Sequence, residues 1–258
     1  SRDDDRSTMA YDHTFAGLMA GYETMLAGNR AGFVGGVATT QVTTDVASTD
    51  VESESIFGGV YLGTTLEGLD LTASLLAGRD SHETERQLFD SSTGAETASA
   101  SFDSNFVSAG LTVAGGNFEL AGLQVRPSAM ASYTYAAIDG YTETGTTQSN
   151  LTFDDRTTQT LSARAQLETI AAFGATQDAF RTGIDGRFSN EDDIGISIGA
   201  ASTSFAATDS TSVLGGFVGA RATFAQTDLF SLDGDVELGF ADGQESTVAA
   251  GLNVSFSF

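Results

Sequence analysis

Few residues of this chain have the types and spacing that catalysis requires. His13 and His82 are the only histidines among 258 residues, and there is no cysteine. The two histidines lie far apart in the sequence, and neither has the Ser/Asp partner motif that activates a serine nucleophile. The chain has no G-x-S-x-G elbow, and glycine-rich pieces such as 32–36 lack the context of a nucleotide-binding loop. We therefore predict no enzymatic activity and no cofactor.

Carboxylates form the other candidate ligand groups, and they cluster at 45–54, 80–85 and 191–193. Hard divalent cations prefer carboxylate oxygens, so such clusters could hold cations near lipopolysaccharide. None of them has the spacing of an EF-hand loop, and the simpler interpretation is solvated charge. We therefore predict no metal site.

The charge balance excludes several classes of partner. All 11 basic residues are arginine, and they stand against 35 acidic residues, which gives a net charge of −24. Nucleic-acid binding needs a basic surface that displaces counterions from phosphates, and docking on an anionic membrane surface needs the same sign of charge. The lack of cysteine excludes a disulfide-stapled scaffold and a Cys-type zinc site. Eighteen Phe and six Tyr favour a folded chain over a disordered one.

From about Thr14 onward, segments of roughly ten residues alternate apolar and polar side chains, as strands with two different faces do. Six late segments show this most clearly, and every charged residue in them lies on the polar face. They are 123–135, 161–168, 180–188, 214–224, 230–240 and 250–258. Earlier candidate strands are 15–26, 31–41, 55–65, 69–78 and 105–113.

Three features favour a membrane barrel over a soluble β-protein, which alternation alone does not exclude. The strands are long enough to cross a bilayer when tilted. The charge-free face is rich in Ala and Gly, which fill a sandwich core poorly but suit lipid. Short turns also alternate with long acidic loops, as in outer-membrane barrels. We predict an all-β, antiparallel transmembrane β-barrel of outer-membrane type with about 12 strands.

The connections set the orientation and expose a problem of strand number. Tight turns are predicted at 27–30, 67–68, 115–117 and 226–228, and long loops at 43–54, 79–103 and 138–157. Outer-membrane barrels have short periplasmic turns and long outer loops, so the tight turns should face the periplasm and the acidic loops the outside. Eleven strands can be counted, although an even number is expected. We predict that residues 1–13 are a lead-in or partial first strand and 14–258 the barrel; alternatively, the first strand lies upstream. The segment 194–200 is predicted to be a partial strand or ordered loop, although 193–205 could also count as a separate strand.

The charges on the polar faces would point into the lumen. These residues are Arg126, Arg164, Arg181, Arg187, Arg221, Asp185, Asp233, Asp235 and Glu237. They could pair across strands and stiffen the wall, or they could line a wet channel that holds a polypeptide segment. The two interpretations are compatible.

Two stretches resemble known signatures. A strand with Leu123, Pro127 and Tyr133 leads to Asp139-Gly140-Tyr141-Thr142-Glu143. This arrangement resembles the central signature of the autotransporter β-domain, the C-terminal translocator of type V secretion, with Pro127, Tyr133, Gly140 and Glu143 as its matching residues. The terminal strand, with Gly251, Val254, Phe256 and Phe258, resembles the signal by which the barrel-assembly machinery recognises outer-membrane proteins.

The resemblance implies a twelve-stranded barrel in the bacterial outer membrane that anchors an upstream passenger and helps to translocate it to the cell surface. It also implies a helical segment in the lumen, yet residues 1–10 are too few to span one at about 1.5 Å per residue. The implied partners are outer-membrane lipid or lipopolysaccharide, the barrel-assembly machinery, and a covalently attached passenger or plug helix. The alternatives are a stand-alone structural or adhesive barrel and a small diffusion channel.

Overall fold

The structure is a computed structural model that describes residues 11–44, 49–90, 94–173, 176–205, 211–227, 229–241 and 246–257. Its regular elements within these ranges are β-strands. The described residues include no helix that is long and apolar enough to cross a membrane. Of the predicted lead-in, Tyr11–His13 belong to the first strand, and residues 1–10 lie outside the described ranges.

Twelve strands form the main sheet. They are β1 Tyr11–Leu26, β2 Asn29–Thr44, β3 Thr49–Leu66, β4 Leu69–Asp90, β5 Gly94–Ala114, the short β6 Phe118–Leu120, β7 Leu123–Ile138, β10 Arg156–Phe173, β11 Thr176–Glu191, β14 Thr211–Gln226, β15 Phe230–Ala241 and β16 Thr247–Phe256. A second sheet contains β8 Tyr141–Thr142, β9 Thr152–Phe153, β12 Ile194–Ile198 and β13 Ala201–Phe205.

The main sheet is an antiparallel meander that curls into a half-barrel. Each long strand pairs with the next long strand along the chain, and β6 pairs with β7 next to the end of β5. This confirms the predicted all-β, antiparallel fold. Because eleven long strands alternate in direction, the two edge strands β1 and β16 run the same way. Their direct pairing would be parallel, so an antiparallel closure requires one more strand between them.

Three hairpins at one end of the sheet turn on two residues that both have positive φ. The φ values are 50° and 81° at Ala27 and Gly28, 51° and 83° at Glu67 and Gly68, and 53° and 82° at Ala121 and Gly122. This is type I′ geometry, whose twist matches that of the flanking strands. The first two turns are predicted from the sequence. The predicted turn at 115–117 is instead a break that precedes β6.

Contacts between non-adjacent strands identify the concave face. Tyr61 of β3 donates a hydrogen bond to Glu23 of β1 at 3.0 Å, and Arg164 of β10 donates one to Glu237 of β15 at 2.6 Å. Side chains on strands that are not neighbours can meet only on the inside of a curved sheet. We call this side the inner face, and strand alternation assigns the remaining residues to it or to the outer face.

The outer face carries an apolar band along the long strands. Ile56, Leu75, Leu111 and Ile184 lie on it, and each is more than half exposed. An apolar surface this extensive is unfavourable in water, whereas lipid requires it. The predicted apolar faces of the late strands lie on this side.

At the end opposite the short turns, the strands continue beyond the apolar band into segments predicted as loops. The β4–β5 ladder runs unbroken to the pair Asp90 and Gly94, so the predicted loop at 79–103 is wrong over most of its length. Strand β3 likewise begins at Thr49, inside the predicted loop 43–54. These segments are mostly polar on both faces, so hydrophobic periodicity does not mark them as strands.

The second sheet, in the order β13-β12-β9-β8, lies at the same end and is called the outer sheet. Reciprocal backbone hydrogen bonds of 2.9 Å between Ser99 and Thr144 attach it to β5. Strand β12 is the partial strand predicted at 194–200, and β8 and β9 occupy part of the predicted loop 138–157. The outer sheet therefore extends the wall of the main sheet outward.

Candidate functional site

All nine charged residues predicted to point into a lumen lie on the inner face. They are Arg126, Arg164, Arg181, Arg187, Arg221, Asp185, Asp233, Asp235 and Glu237. They come from β7, β10, β11, β14 and β15, which are consecutive in the sheet. This half of the inner face, the charged half, is therefore a continuous polar wall.

Arg164 lies at the centre of the charged half. It donates to Glu237 at 2.6 Å, and its guanidinium carbon lies 3.4 Å from the ring centroid of Phe217, a cation–π contact. Arg181 Nη2 lies 3.6 Å from Asp235 and 3.9 Å from Glu237. These pairs bridge several strands, which supports the interpretation that the charges stiffen the wall.

Three buried guanidinium nitrogens on the inner face have no hydrogen-bond partner in the described part of the chain, and one of them, Arg156 Nη1, lies at the start of β10. Arg164 Nε and Arg181 Nε are buried and make no hydrogen bond within the described part of the chain. A buried donor without an acceptor is unfavourable. Water or the carbonyl groups of a peptide segment could reach these two donors only if the guanidinium groups turned toward the lumen.

An acidic recess of about 390 Å³ opens on the inner face near the short-turn end. Glu168, Asp178, Asp233 and Asp235 line it together with the single arginine Arg221. In the residues that the structure describes, no group of three or more His, Asp or Glu side chains is arranged to hold a metal ion. The recess is therefore described as a charged surface and not as a metal centre.

The inner face of β1–β5 mixes apolar and polar side chains, with Glu23 and Asp70 among the charged ones, so the inner wall is not uniformly polar as the late strands predict. The Phe57 ring covers Gly36, and the Phe106 ring covers Gly78; a Cβ atom at either glycine would lie 2.5 Å from the ring. Strand β1 adds three side chains that are about two-thirds exposed, namely Phe15, Met19 and Met25. The inner wall thus has a charged half and a half of mixed polarity.

A buried ion pair fastens the outer sheet to the end of β4. Arg86 donates to the Glu143 carboxylate from Nε at 3.0 Å and from Nη2 at 2.5 Å. The Leu151 amide donates to the same carboxylate at 2.9 Å, and the Glu143 side chain is only 4% exposed. The hydrogen bond to Glu143 raises the pKa of the Arg86 guanidinium. This arrangement clamps the 143–151 loop against the main sheet.

A row of stacked rings runs across the same region from β4 to β9. Successive ring centroids of His82, Phe102, Tyr141 and Phe153 are 4.7, 4.3 and 4.6 Å apart. Burial raises the pKa of the Tyr141 phenol, which lies in the middle of the row. We call this row and the Arg86–Glu143 pair the rim.

His82 makes hydrogen bonds at both ring nitrogens. Its Nδ1 lies 2.7 Å from Ser53 Oγ, and its Nε2 lies 2.9 Å from Ser104 Oγ, which in turn donates to Asp80 at 2.9 Å. The two serines are 29 and 22 residues away in sequence. These partners are not predictable from the sequence, because they reach His82 only through strand register.

The rim is expected to loosen at acidic pH through His82. Burial lowers the pKa of this imidazole, while Asp80 and Asp103 oppose the shift and Arg156 adds to it. A histidine whose folded pKa is depressed contributes stability above its unfolded pKa of about 6.5, and this is lost as the pH falls through the lower folded value. The protection factors of the Tyr141 and Phe153 amides, which compare the observed exchange rate with the intrinsic rate at each pH, should therefore fall below about pH 6.5. The variant His82→Gln should remove the pH dependence, and an unchanged dependence in that variant would contradict this assignment.

The residues of the central signature occupy distinct positions. The Pro127 carbonyl accepts a hydrogen bond from the Gly115 amide at 2.9 Å, so this edge of Pro127 faces the break before β6. Because no strand pairs with Pro127 there, the lack of an N–H group on proline costs no hydrogen bond of the sheet. Tyr133 lies on the outer face and donates to Gln159 at 2.9 Å. A Cβ atom on Gly140 would lie 2.8 Å from the Phe153 carbonyl oxygen, so only glycine fits there without a shift of the backbone.

The predicted assembly signal lies on the edge strand β16. Val254 and Phe256 point outward, and the Phe256 ring lies 5.6 Å from that of Phe230. Gly251 lies on the inner face next to Asp235. Phe258 lies outside the described residues.

Comparison with known sequences identifies the family. The sequence model of the autotransporter beta-domain matches residues 1–179, from the start of the chain into β11. The chain belongs to the autotransporter β-domain family. No curated protein matches the chain.

Solved autotransporter domains have the same fold. The translocator domain of the autotransporter NalP from Neisseria meningitidis is similar with a TM-score of 0.75 at 14% identity, over 98% of this chain and 83% of that chain. The β-domain of the Bordetella autotransporter BrkA gives 0.67 at 17% identity, over 96% and 93%. The transport unit of AIDA-I from Escherichia coli gives 0.50 at 11% identity, over 97% and 84%.

Membership of the autotransporter β-domain family confirms the predicted function and location. The chain is a β-barrel domain of the bacterial outer membrane that translocates a linked passenger. Translocator domains of this family are not enzymes.

Proposed function

We propose that the inner wall is the surface along which the passenger segment is held during translocation. The contrast between the two faces carries this proposal. The outer face offers lipid an apolar band, whereas the charged half of the inner wall offers paired charges, among them those of Arg164 and Arg181. A polypeptide in transit needs partners for its backbone groups, and only the inner face provides them.

We also propose that the chain before Tyr11 completes the barrel. One strand between β1 and β16, antiparallel to both, would pair the two open edges and leave no backbone edge in lipid. That strand would run outward from the short-turn end. This position fits a lead-in that comes from a segment inside the lumen and is linked to the passenger.

Two partners follow from the same arrangement. We infer that the barrel-assembly machinery recognises β16 through its outward Val254 and Phe256, together with Gly251 and the terminal Phe258. We infer that outer-membrane lipid, including lipopolysaccharide, covers the apolar band. Every residue of the edge strand β16 is exposed, which supports the first inference.

The test is surface display of an epitope tag placed before Ser1, in a chain that is expressed with a signal peptide in a Gram-negative host. Protease added to intact cells should remove the tag from the native chain. The double variant Arg164→Gln/Arg181→Gln should still assemble, as judged by heat-modifiable migration on gels, but should display several-fold less tag. The control Glu83→Gln changes an exposed residue beyond the band and should display normally.

A tag that stays protected on intact cells, although the native barrel is assembled, would contradict translocation and favour a stand-alone barrel. Equal display by the double variant would show that the charged half does not contact the passenger.

A further inference from the structure

We propose that Arg79 binds the phosphate of an outer-leaflet lipid whose acyl chain lies in a groove beside it. The proposal rests on the membrane orientation given above. It adds a specific lipid site to a surface that was so far described only as apolar.

The first observation is the distribution of arginine. Among the described residues, eight of nine arginines lie on the inner face: Arg30, Arg86, Arg126, Arg156, Arg164, Arg181, Arg187 and Arg221. Arg79 is the exception. It pairs with Ile56 in the β3–β4 register and therefore points outward, with 59% of its side chain exposed.

The second observation is its level along the barrel. On β4 the outward residues Leu71, Ala73, Leu75 and Ala77 are apolar, and Arg79 is the next outward residue after them. Arg79 thus marks the outer end of the apolar band. Because the short turns lie at the other end, this is the level of the headgroups in the outer leaflet.

The third observation is an apolar groove at the same level. Leu18, Val37 and Ile56 are in cross-strand register with Arg79, and together they form a row on the outer face. The groove has a volume of about 720 Å³, and these four residues line it with Thr39, Glu54 and Ser81. The row lies at the level of Arg79, and the outward residues of β4 from Ala77 to Leu71 continue the apolar surface toward the middle of the bilayer. A lipid whose phosphate lies at Arg79 would therefore begin its acyl chain in the groove and extend it along these residues.

The guanidinium has free donors for a ligand. Arg79 Nη2 donates to Asp103 at 2.6 Å, and Ser81 donates to the other oxygen of Asp103 at 2.8 Å. Asp103 is the ionic partner of Arg79 in the described part of the chain and occupies one edge of the planar guanidinium group. Since a guanidinium has five N–H groups, the remaining donors are available to a phosphate in forked geometry.

Three carboxylates oppose the binding of an anion, and one of them, Asp139, acts on Arg79 electrostatically without pairing with it. Asp103 neutralises part of the charge of Arg79, and Glu54 lines the groove. Removing the negative charge of Glu54 should therefore strengthen binding, while removing the positive charge of Arg79 should weaken it. Opposite effects of two adjacent charges would be difficult to obtain from nonspecific lipid adhesion.

The experiment measures lipid retention by the purified, folded barrel in detergent with native mass spectrometry. The probes are lipid A with its two phosphates, dephosphorylated lipid A, and inorganic phosphate as a competitor. We expect Arg79→Gln to bind phosphorylated lipid A about tenfold more weakly, the loss typical of one charge-assisted contact. The affinity of Arg79→Lys should be intermediate, because lysine keeps the positive charge but lacks the paired N–H donors of a guanidinium group. Glu54→Gln should bind more tightly, and Val37→Phe should bind less because it fills the groove.

Arg30→Gln is the matched control, because Arg30 is also exposed but lies on the inner face. Heat-modifiable migration establishes that each variant is folded. The proposal is overturned if Arg79→Gln retains lipid A like the native barrel, or if Arg30→Gln loses it equally. Equal retention of dephosphorylated lipid A would also overturn it. Because the measurement needs no passenger, failed surface display and a failed lipid site are separate outcomes.

Discussion

Replacing Leu111 by arginine should destabilise the barrel by about 2–4 kcal/mol, the cost of a cation near the middle of a bilayer. Leu111 lies on the outer face, between Ala73 and Ala131 of the neighbouring strands, and is 51% exposed. Both of these neighbours are alanine, so their side chains offer an arginine at position 111 no hydrogen-bond acceptor. The free energy of unfolding can be measured by urea titration in phospholipid vesicles.

The adjacent residue provides a matched control. Thr112 lies on the inner face, next to Thr72 and Met130, so Thr112→Arg introduces the same side chain into the lumen. We expect a change of less than about 1 kcal/mol for a substitution in the lumen. A larger cost for Thr112→Arg than for Leu111→Arg would reverse the assignment of the two faces.

The second large effect is expected at the rim. Replacing Glu143 by glutamine leaves Arg86 without its anionic partner while preserving the size of the side chain. Breaking a buried ion pair typically costs about 3–5 kcal/mol. We expect about 3 kcal/mol here, because Arg86 remains 23% exposed and can partly hydrate.

This loss should be local, because the pair joins a loop to the wall and not one spanning strand to another. Hydrogen exchange of the Leu151 and Thr144 amides should accelerate by about a hundredfold, the factor that corresponds to nearly 3 kcal/mol. Amides in the β14–β15 ladder should keep their protection. The exposed Glu83→Gln is the control, and similar acceleration in both variants would show that the Arg86–Glu143 pair does not hold the outer sheet.

The sequence predicts the spanning part of the fold well because one physical rule governs it. Lipid on one side and water on the other force a two-residue alternation, and this pattern marks the late strands and their charged inner residues. The alternation of side chains along each strand is enough to place Arg164 and Glu237 on the same face. Their contact could not be predicted, because it depends on the curvature of four successive strands.

The regions beyond the membrane could not be predicted in this way. Above Arg79, both faces of β4 and β5 meet water or polar loops, so selection for alternation is weak and the segment looks like a loop. His82 illustrates the consequence, since its partners Ser53 and Ser104 come from neighbouring strands whose register is invisible in the sequence. Glu143 is recognisable from its family motif, but its partner Arg86 lies 57 residues away.

The meander has a consequence for the kinetics of folding. Every ladder between long strands joins strands that follow one another along the chain, and the widest interval separates Glu191 at the end of β11 from Thr211 at the start of β14. Such local pairings require little loop-closure entropy and form quickly. In a closed barrel, the single pairing between distant parts of the chain would be the seam at β16. Registration of that seam, and not formation of the hairpins, is therefore expected to limit the folding rate.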